Sequence, residues 1–523
     1  MPARRNIGFL LAGTAFASSL LASAAAWAQE AGPLRVPSGV EAAGAGATAD
    51  PSVDGLLRPA LRPAASSTPA GDRSTSGAAP RPGLHPPKTR RSRSPVSGGV
   101  SGVFRATIRP PGVAADVQPI QTGVPDLPET APPLRRRPRP GAIDDPYAPL
   151  GLRVGNVVIT PTIGQYLGYD DNPNRLPRDR KPSAMSQTEA EIGIQSDWSR
   201  HELSGQLRGA YSDYFSDPHA NRPEGQGNLR FRYDVSRDTQ ADIEGHYRID
   251  SQRMTSPDLG GNLLSSRPLT YSEGASVGVT QRFNRVLASL RGTIDRYDYE
   301  NPLLPSGGVL DQGDRNMTQY GLLGRLGYEV HPGFIPFVEV GVDTRQYDRK
   351  FDNSGYARSS DGLMLRGGMT FELTRLLTAE FSAGAARRDY QDKRLGAQTA
   401  PVADATLTYR LTPLTTIRAR MSSSFDETAV AGSNGIRYLQ GGLEIEHALR
   451  RNLILTAGLR ASDSKYQNVA IEEKGLGAFL RAEYRLNRNV ALRASYAYDQ
   501  IRSSVVGGSY SDNTFLFGVR LTP

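Results

Sequence analysis

The 523-residue chain has no cysteine, two tryptophans and six histidines, and its mean hydropathy is -0.44. Without cysteine there are no disulfides, thiolate zinc sites or cysteine nucleophiles. Beyond the first thirty residues no run of about 18 apolar residues occurs, which excludes a helical membrane protein. The net charge of +9 is also unevenly placed. Residues 1–150 carry 17 Lys+Arg against 10 Asp+Glu, and the remainder 45 against 43, so the second part has no basic surface on which to bind nucleic acid. No glycine-rich phosphate loop, HExxH or EF-hand pattern is found.

What the chain does have falls into three stretches. Arg4 and Arg5 precede an apolar run from Ile7 to Ala26 that closes on Ala26-Trp27-Ala28. This order of charge, apolar core and small-x-small site predicts a signal peptide over 1–28; the alternative is an uncleaved anchor. Residues 29–150 follow as a Pro/Ala/Arg-rich arm. Of the chain's 38 prolines, 22 lie between Gly32 and Leu150, whereas all 22 tyrosines lie at Tyr147 or later. Such an arm buries too little apolar surface to offset its ordering entropy, so a disordered periplasmic arm is expected. Its basic clusters, Arg90-Arg91-Ser92-Arg93 and Arg135-Arg136-Arg137-Pro138-Arg139, could touch anionic headgroups or a polymer, or simply be solvated.

From Val157 onward the pattern alternates with period two. Leu476, Ala478, Leu480, Ala482, Tyr484 and Leu486 oppose Gly477, Phe479, Arg481, Glu483 and Arg485, and the same device recurs along Leu363–Leu373 and Leu453–Ala461. Short turns near Arg200, Arg237, Asn284-Arg285, His331-Pro332-Gly333, Arg375, Thr412-Pro413, Arg450-Arg451 and Asn487-Arg488 recur every 37 to 48 residues. A propeller blade has a similar period, but these strands are too long and the connections alternate strictly short and long. No second layer is present to cover the apolar face, so lipid is the simplest solvent for it, and only a closed sheet satisfies its backbone there. The sequence therefore predicts an all-β fold over 151–523: a transmembrane antiparallel up-and-down β-barrel of about 18 strands.

Tyrosines gather at the long-loop ends of the strands, among them Tyr169, Tyr211, Tyr214, Tyr297, Tyr390, Tyr466 and Tyr496, where an interfacial girdle would sit. The alternate face supplies the lumen-lining candidates Arg291, Asp295, Arg366, Glu372, Arg460, Arg481, Glu483, Arg485, Arg493 and Asp499. Their signs nearly balance, which argues against strong ion selectivity. On this register, Arg in place of Leu480 should destabilise the barrel, and Arg in place of Gly477 should be tolerated. His246 shares a face with Asp242, Glu244 and Arg248, but no serine or second acid is placed beside it, so no enzyme, catalytic residue or cofactor is expected. Asp170-Asp171-Asn172 could offer calcium ligands, although such a loop more commonly makes a turn.

Val157-Val158-Ile159-Thr160-Pro161, followed by Gly168-Tyr169-Asp170-Asp171-Asn172-Pro173 and a train of long hairpins, resembles the β-barrel porin 2 family of outer-membrane proteins over roughly 155–523. The resemblance implies a porin, often associated with exopolysaccharide systems, in the outer membrane of a Gram-negative bacterium. The last strand, with Phe515, Phe517, Val519 and Leu521 on one face, resembles the segment recognised by barrel-assembly machinery, but it ends in Thr522-Pro523. The expected partners are thus outer-membrane lipid, that machinery, and a polysaccharide or periplasmic export partner. The leading expectation is a weakly selective channel for hydrophilic solutes. The alternative is a structural or adhesive barrel plugged by loops such as Ser251–Leu269 or Asn301–Asn316 and tethered through its arm.

Overall fold

Asn284 shows how the hairpins close. It joins two strands through a two-residue turn at φ 56, a left-handed conformation that asparagine tolerates better than most side chains. The computed structural model describes residues 146–260, 264–374 and 376–523, so the expected signal peptide and nearly all of the arm lie outside the described residues.

A short strand, β1 (Leu152–Val154), precedes 18 long ones: β2 (Val157–Asp170), β3 (Ser183–Ser196), β4 (Glu202–Tyr214), β5 (Arg222–Asp234), β6 (Thr239–Ser251), β7 (Leu269–Phe283), β8 (Val286–Tyr299), β9 (Met317–Tyr328), β10 (Phe334–Tyr347), β11 (Ser360–Thr374), β12 (Leu377–Tyr390), β13 (Gln398–Thr412), β14 (Thr415–Asp426), β15 (Ile436–Arg450), β16 (Leu453–Tyr466), β17 (Glu472–Arg485), β18 (Val490–Ser503) and β19 (Tyr510–Leu521). Each long strand pairs antiparallel with its sequence neighbour, and β19 returns to β2 through Thr514↔Asp170 to Leu521↔Ile163, closing the barrel. Strand β1 pairs with β2 at Val157–Ile159, beyond the reach of β19. Among the described residues no helix is long and apolar enough to cross a membrane.

Closure gives the two faces different surroundings. Outward residues such as Leu365, Leu459 and Leu480 are more than half exposed (57, 56 and 59%), a cost in water that a lipid contact removes. On β16 the outward apolar set runs from Leu453 to Ala461 and then gives way to Asp463 and Lys465. Eight steps at about 3.4 Å make roughly 27 Å of strand, or ~20 Å of height at a tilt of ~40°, close to the apolar band of a membrane barrel. Outward ion pairs mark the long-loop edge of this band: Arg296 with Asp298 and Asp348 at 2.6 Å, Arg387 with Asp389 at 3.1 Å, and Lys465 with Glu472 at 2.7 Å.

Tyrosine placement departs from the expected girdle. Tyr169, Tyr211 and Tyr496 do face outward, but Tyr214, Tyr297, Tyr390 and Tyr466 are buried on the inner face beneath the loops. Their hydroxyls have work there: Tyr214 donates to Asp170 at 3.1 Å, and Tyr390 donates to the Asn434 carbonyl. Four strands also start earlier than their apolar alternation does. The first residues of β3, β5, β13 and β17 lie above the outward apolar band, where nothing selects for apolar side chains.

Candidate functional site

The inner face is a wall of arginine–carboxylate pairs. Antiparallel strands place inward residues opposite one another about 5 Å apart, so alternating signs meet across the ladder. Arg291 pairs with Asp242 at 2.7 Å, and His246 Nε2 lies 3.0 Å from Asp295 Oδ1. Arg366 bridges Glu339 and Asp404, and Arg460 meets Asp499 at 2.8 Å. Glu483 gathers Arg485 at 2.9 Å, Arg493 at 3.1 Å and Arg520 at 3.5 Å. Glu372 stands apart: it is exposed near the tight-turn end of β11, and its backbone N–H donates to the Gly333 carbonyl. Arg481 is buried with no such pair.

Arg493 is the hub of one stretch of wall. It is 1% exposed, and besides Glu483 it approaches Glu189 at 3.8 Å and donates to the Tyr166 hydroxyl at 3.2 Å. Arg208 binds Glu189 at 3.1 Å, so the network spans β2, β3, β4, β17, β18 and β19 and staples the seam where the barrel closes. Arg493→Met should cost about 3 kcal/mol. That is the low end for breaking a buried pair, because both acids keep another arginine. A lowered denaturant midpoint for loss of the heat-resistant folded band measures it.

Water still reaches parts of this wall. Inward-facing Gln226 and Asn228 are exposed, and Arg418, Arg460 and Arg230 are about a quarter to a third exposed. A recess of about 800 Å³, with open solvent included, lies along β5–β10 between Arg230, Asp242, Arg291, Arg325 and Glu339 over an apolar floor of Leu287, Leu323 and Ile335.

The long-loop mouth is different. The β6–β7 connection turns inward and crosses the barrel. Arg253, fully buried, places Nη2 2.6 and 2.7 Å from the two carboxylate oxygens of Glu473 on β17 and donates through Nη1 to the Gly508 carbonyl at 3.1 Å. A few residues on, Asp258 accepts from the Thr428 hydroxyl at 2.6 Å and the Ala429 N–H at 2.9 Å, in the connection between β14 and β15. That connection is held in turn by Arg358, which donates to the Ser433 and Val430 carbonyls, and by the amide of Asn434, which donates to Leu395. Leu259 and Leu264 are buried beneath. The sequence singled out Ser251–Leu269 as a loop able to plug the lumen but gave no local signal for its partners, which lie 170 to 255 residues away.

The Asp170–Pro173 motif belongs to the same mouth. Asp170 accepts from the Asn172 N–H at 2.8 Å, and the Asn172 side chain bridges Leu176 and Ser511. Carboxylate oxygens of Asp170, Asp171 and Asp512 lie within 4.8 Å of one another. The protein's own groups serve them, however: Tyr214 on Asp170, Asn513 on Asp171 and Arg175 near Asp512, at 3.6 Å. In the outer loops the guanidinium of Arg349 and the Gly313 N–H hold the Asp311 carboxyl below the usual carboxylate range.

His246 is brought to Asp295 on β8, a residue that reading along its own strand could not supply. Among the described residues no serine or threonine hydroxyl donates to it.

No curated protein matches the chain. Solved structures similar to it include a mutant ferric enterobactin receptor, PfeA, of Pseudomonas aeruginosa, at 10% identity over 70% of this chain and 80% of that one, with a TM-score of 0.36. The siderophore receptor PirA of Acinetobacter baumannii aligns at 8% identity over 71% and 81%, with a TM-score of 0.37. Pseudomonas aeruginosa OpdQ aligns at 8% identity over 71% and 98%, with a TM-score of 0.36. The family model described as Putative beta-barrel porin 2 matches residues 145–522, which hold every strand of the closed barrel, and the chain belongs to that family.

Proposed function

We propose that this barrel is an outer-membrane porin, a weakly selective conduit for hydrophilic solutes whose long-loop mouth is held shut by its own β6–β7 connection. The observation that carries the reading is the contrast between faces: an apolar, exposed outside and an inside of paired, partly hydrated charges. Membership of a porin family supports it. In this reading the tight turns and the arm are periplasmic and the long loops face outward. The inward charges serve passage and not catalysis, and β19 is the strand offered to assembly machinery. Passage of exopolysaccharide is the extension that the family resemblance favours.

A near balance of lining charges weakens selectivity, because the lining guanidiniums of Arg291, Arg366, Arg460, Arg485 and Arg493 each have a carboxylate beside them. Single-channel recording of the refolded full chain across a KCl gradient tests this. The reading expects a reversal potential close to zero; a potential near the ideal value for either ion would overturn weak selectivity. The second reading, a plugged structural or adhesive barrel, is favoured by the buried Arg253–Glu473 pair. It expects silence both from the native chain and from chains in which that pair is removed.

A further inference from the structure

Arg481 breaks the rule that the rest of the wall obeys. It sits inward on β17, 9% exposed, and its Nε and Nη2 are buried with no hydrogen-bond acceptor among the described residues. The guanidinium groups of Arg291, Arg366, Arg460, Arg485 and Arg493 are matched by carboxylates, and an unpaired buried charge is among the most costly arrangements a protein can hold. Its surroundings make this worse. Arg493 and Arg208 act on it repulsively. The nearby acids are committed elsewhere: Glu444 to Arg418 at 2.8 Å, Glu189 to Arg208 at 3.1 Å and Glu483 to Arg493 at 3.1 Å. Such a cation lacks a counter-ion that the chain itself does not provide.

The surroundings are also those of a binding site. The strand register sets Thr456 on one side of Arg481 and Ser495 on the other, two small inward hydroxyl residues that carry no charge to pair with it. The Phe479 ring, two residues earlier on the same face, lies 5.8 Å from the guanidinium carbon and limits how its plane can turn. Nη1 is not among the nitrogens buried without a partner and makes no contact, so it faces the lumen. Nη1 is thus the donor that the lumen reaches, and it can give a solute carboxylate the charge-assisted hydrogen bond that Arg481 lacks within the chain.

We infer that Arg481 is an anion subsite in the barrel wall that receives the carboxylate of a passing hydrophilic solute, such as an acidic sugar. This rests on the conduit reading and names the solute class for it. A single negative charge suits the site better than two, because Glu444, Glu189 and Glu483 surround the cationic patch and would repel the second.

The test uses the refolded full chain in detergent, with its fold verified by heat modifiability, and glucuronate, glucose and glucose 6-phosphate as probes at matched ionic strength. Saturation-transfer NMR and equilibrium dialysis should find glucuronate bound and glucose not. Arg481→Gln should weaken glucuronate at least tenfold. Arg481→Lys, which keeps the charge but loses the guanidinium, should fall between the two and serves if the glutamine variant does not fold. The inference is overturned if the native chain does not bind glucuronate, if Arg481→Gln binds it equally well, or if glucose 6-phosphate binds more tightly. Conductance judges the conduit separately. Glucuronate binding by a barrel that never conducts keeps the subsite and removes the conduit; conductance without glucuronate binding does the opposite.

Discussion

Arg253→Ala should turn a channel that opens rarely into one that is open most of the time. In the native chain the Arg253 guanidinium and the Glu473 carboxylate are both withdrawn from water, and each is tolerable only because the other is present. Removing the arginine leaves Glu473 buried and unpaired if the β6–β7 connection stays in place, a penalty of about 3–5 kcal/mol. The connection escapes that penalty by lifting and letting water reach Glu473. Every 1.4 kcal/mol is tenfold, so even 3 kcal/mol shifts the open-to-closed ratio by roughly a hundredfold. Asp258 and the buried Leu259 still hold the connection on the other side, so Arg253→Ala combined with Asp258→Asn should open it further. Planar-bilayer recordings read both as a rise in open fraction. An open fraction unchanged in a folded Arg253→Ala barrel would mean that the pair does not hold the mouth shut.

Leu480→Arg should lower barrel stability by about 2–4 kcal/mol, the cost of a guanidinium on the lipid face near mid-depth. Leu480 lies in the middle of the outward apolar set of β17 and is 59% exposed, so the loss comes from lipid contact and not from packing. The inward control has to be chosen with care. Gly477 faces inward as its alternation predicts, but a Cβ there would lie 2.8 Å from Asp499 Oδ1 and 3.1 Å from Arg460, inside an ion pair folded over the glycine. An arginine at that position would disrupt the pair, so it is not the tolerant site that alternation alone indicates. Asn228 is inward and exposed, and Asn228→Arg should change stability by no more than about 0.5 kcal/mol. Urea titrations of folding into vesicles compare the two; equal destabilisation would contradict the assignment of faces.

These two cases mark what the sequence could reveal. Period-two alternation depends on one strand and its two solvents, which is why β8, β12 and β16 begin and end where the pattern does. Where the outer solvent changes, as at the first turns of β3 and β17, the pattern stops before the strand does. Tyr214 and Tyr390 could not be told from Tyr169 and Tyr211, because strand propensity is blind to which face a loop will cover. The site divides in the same way. Arg366, Arg460 and Arg493 were recognisable as inward residues from parity. That Arg493 is a paired hub and Arg481 an orphan depends on strands β2 to β4 meeting β17 to β19 at the seam. Ser251–Leu269 was legible as a loop able to plug the lumen, but the Arg253–Glu473 pair was not, since neither residue differs in its own neighbourhood from a solvated loop or strand-end charge.

The central claim is that a water path for hydrophilic solutes runs through this barrel once its mouth opens. Swelling of liposomes loaded with the refolded full chain, in an isotonic neutral trisaccharide, tests it most directly. The account predicts slow swelling with the native chain and several-fold faster swelling with Arg253→Ala. No swelling from either, with both barrels shown to be folded and inserted, would contradict it and leave a sealed structural barrel in its place.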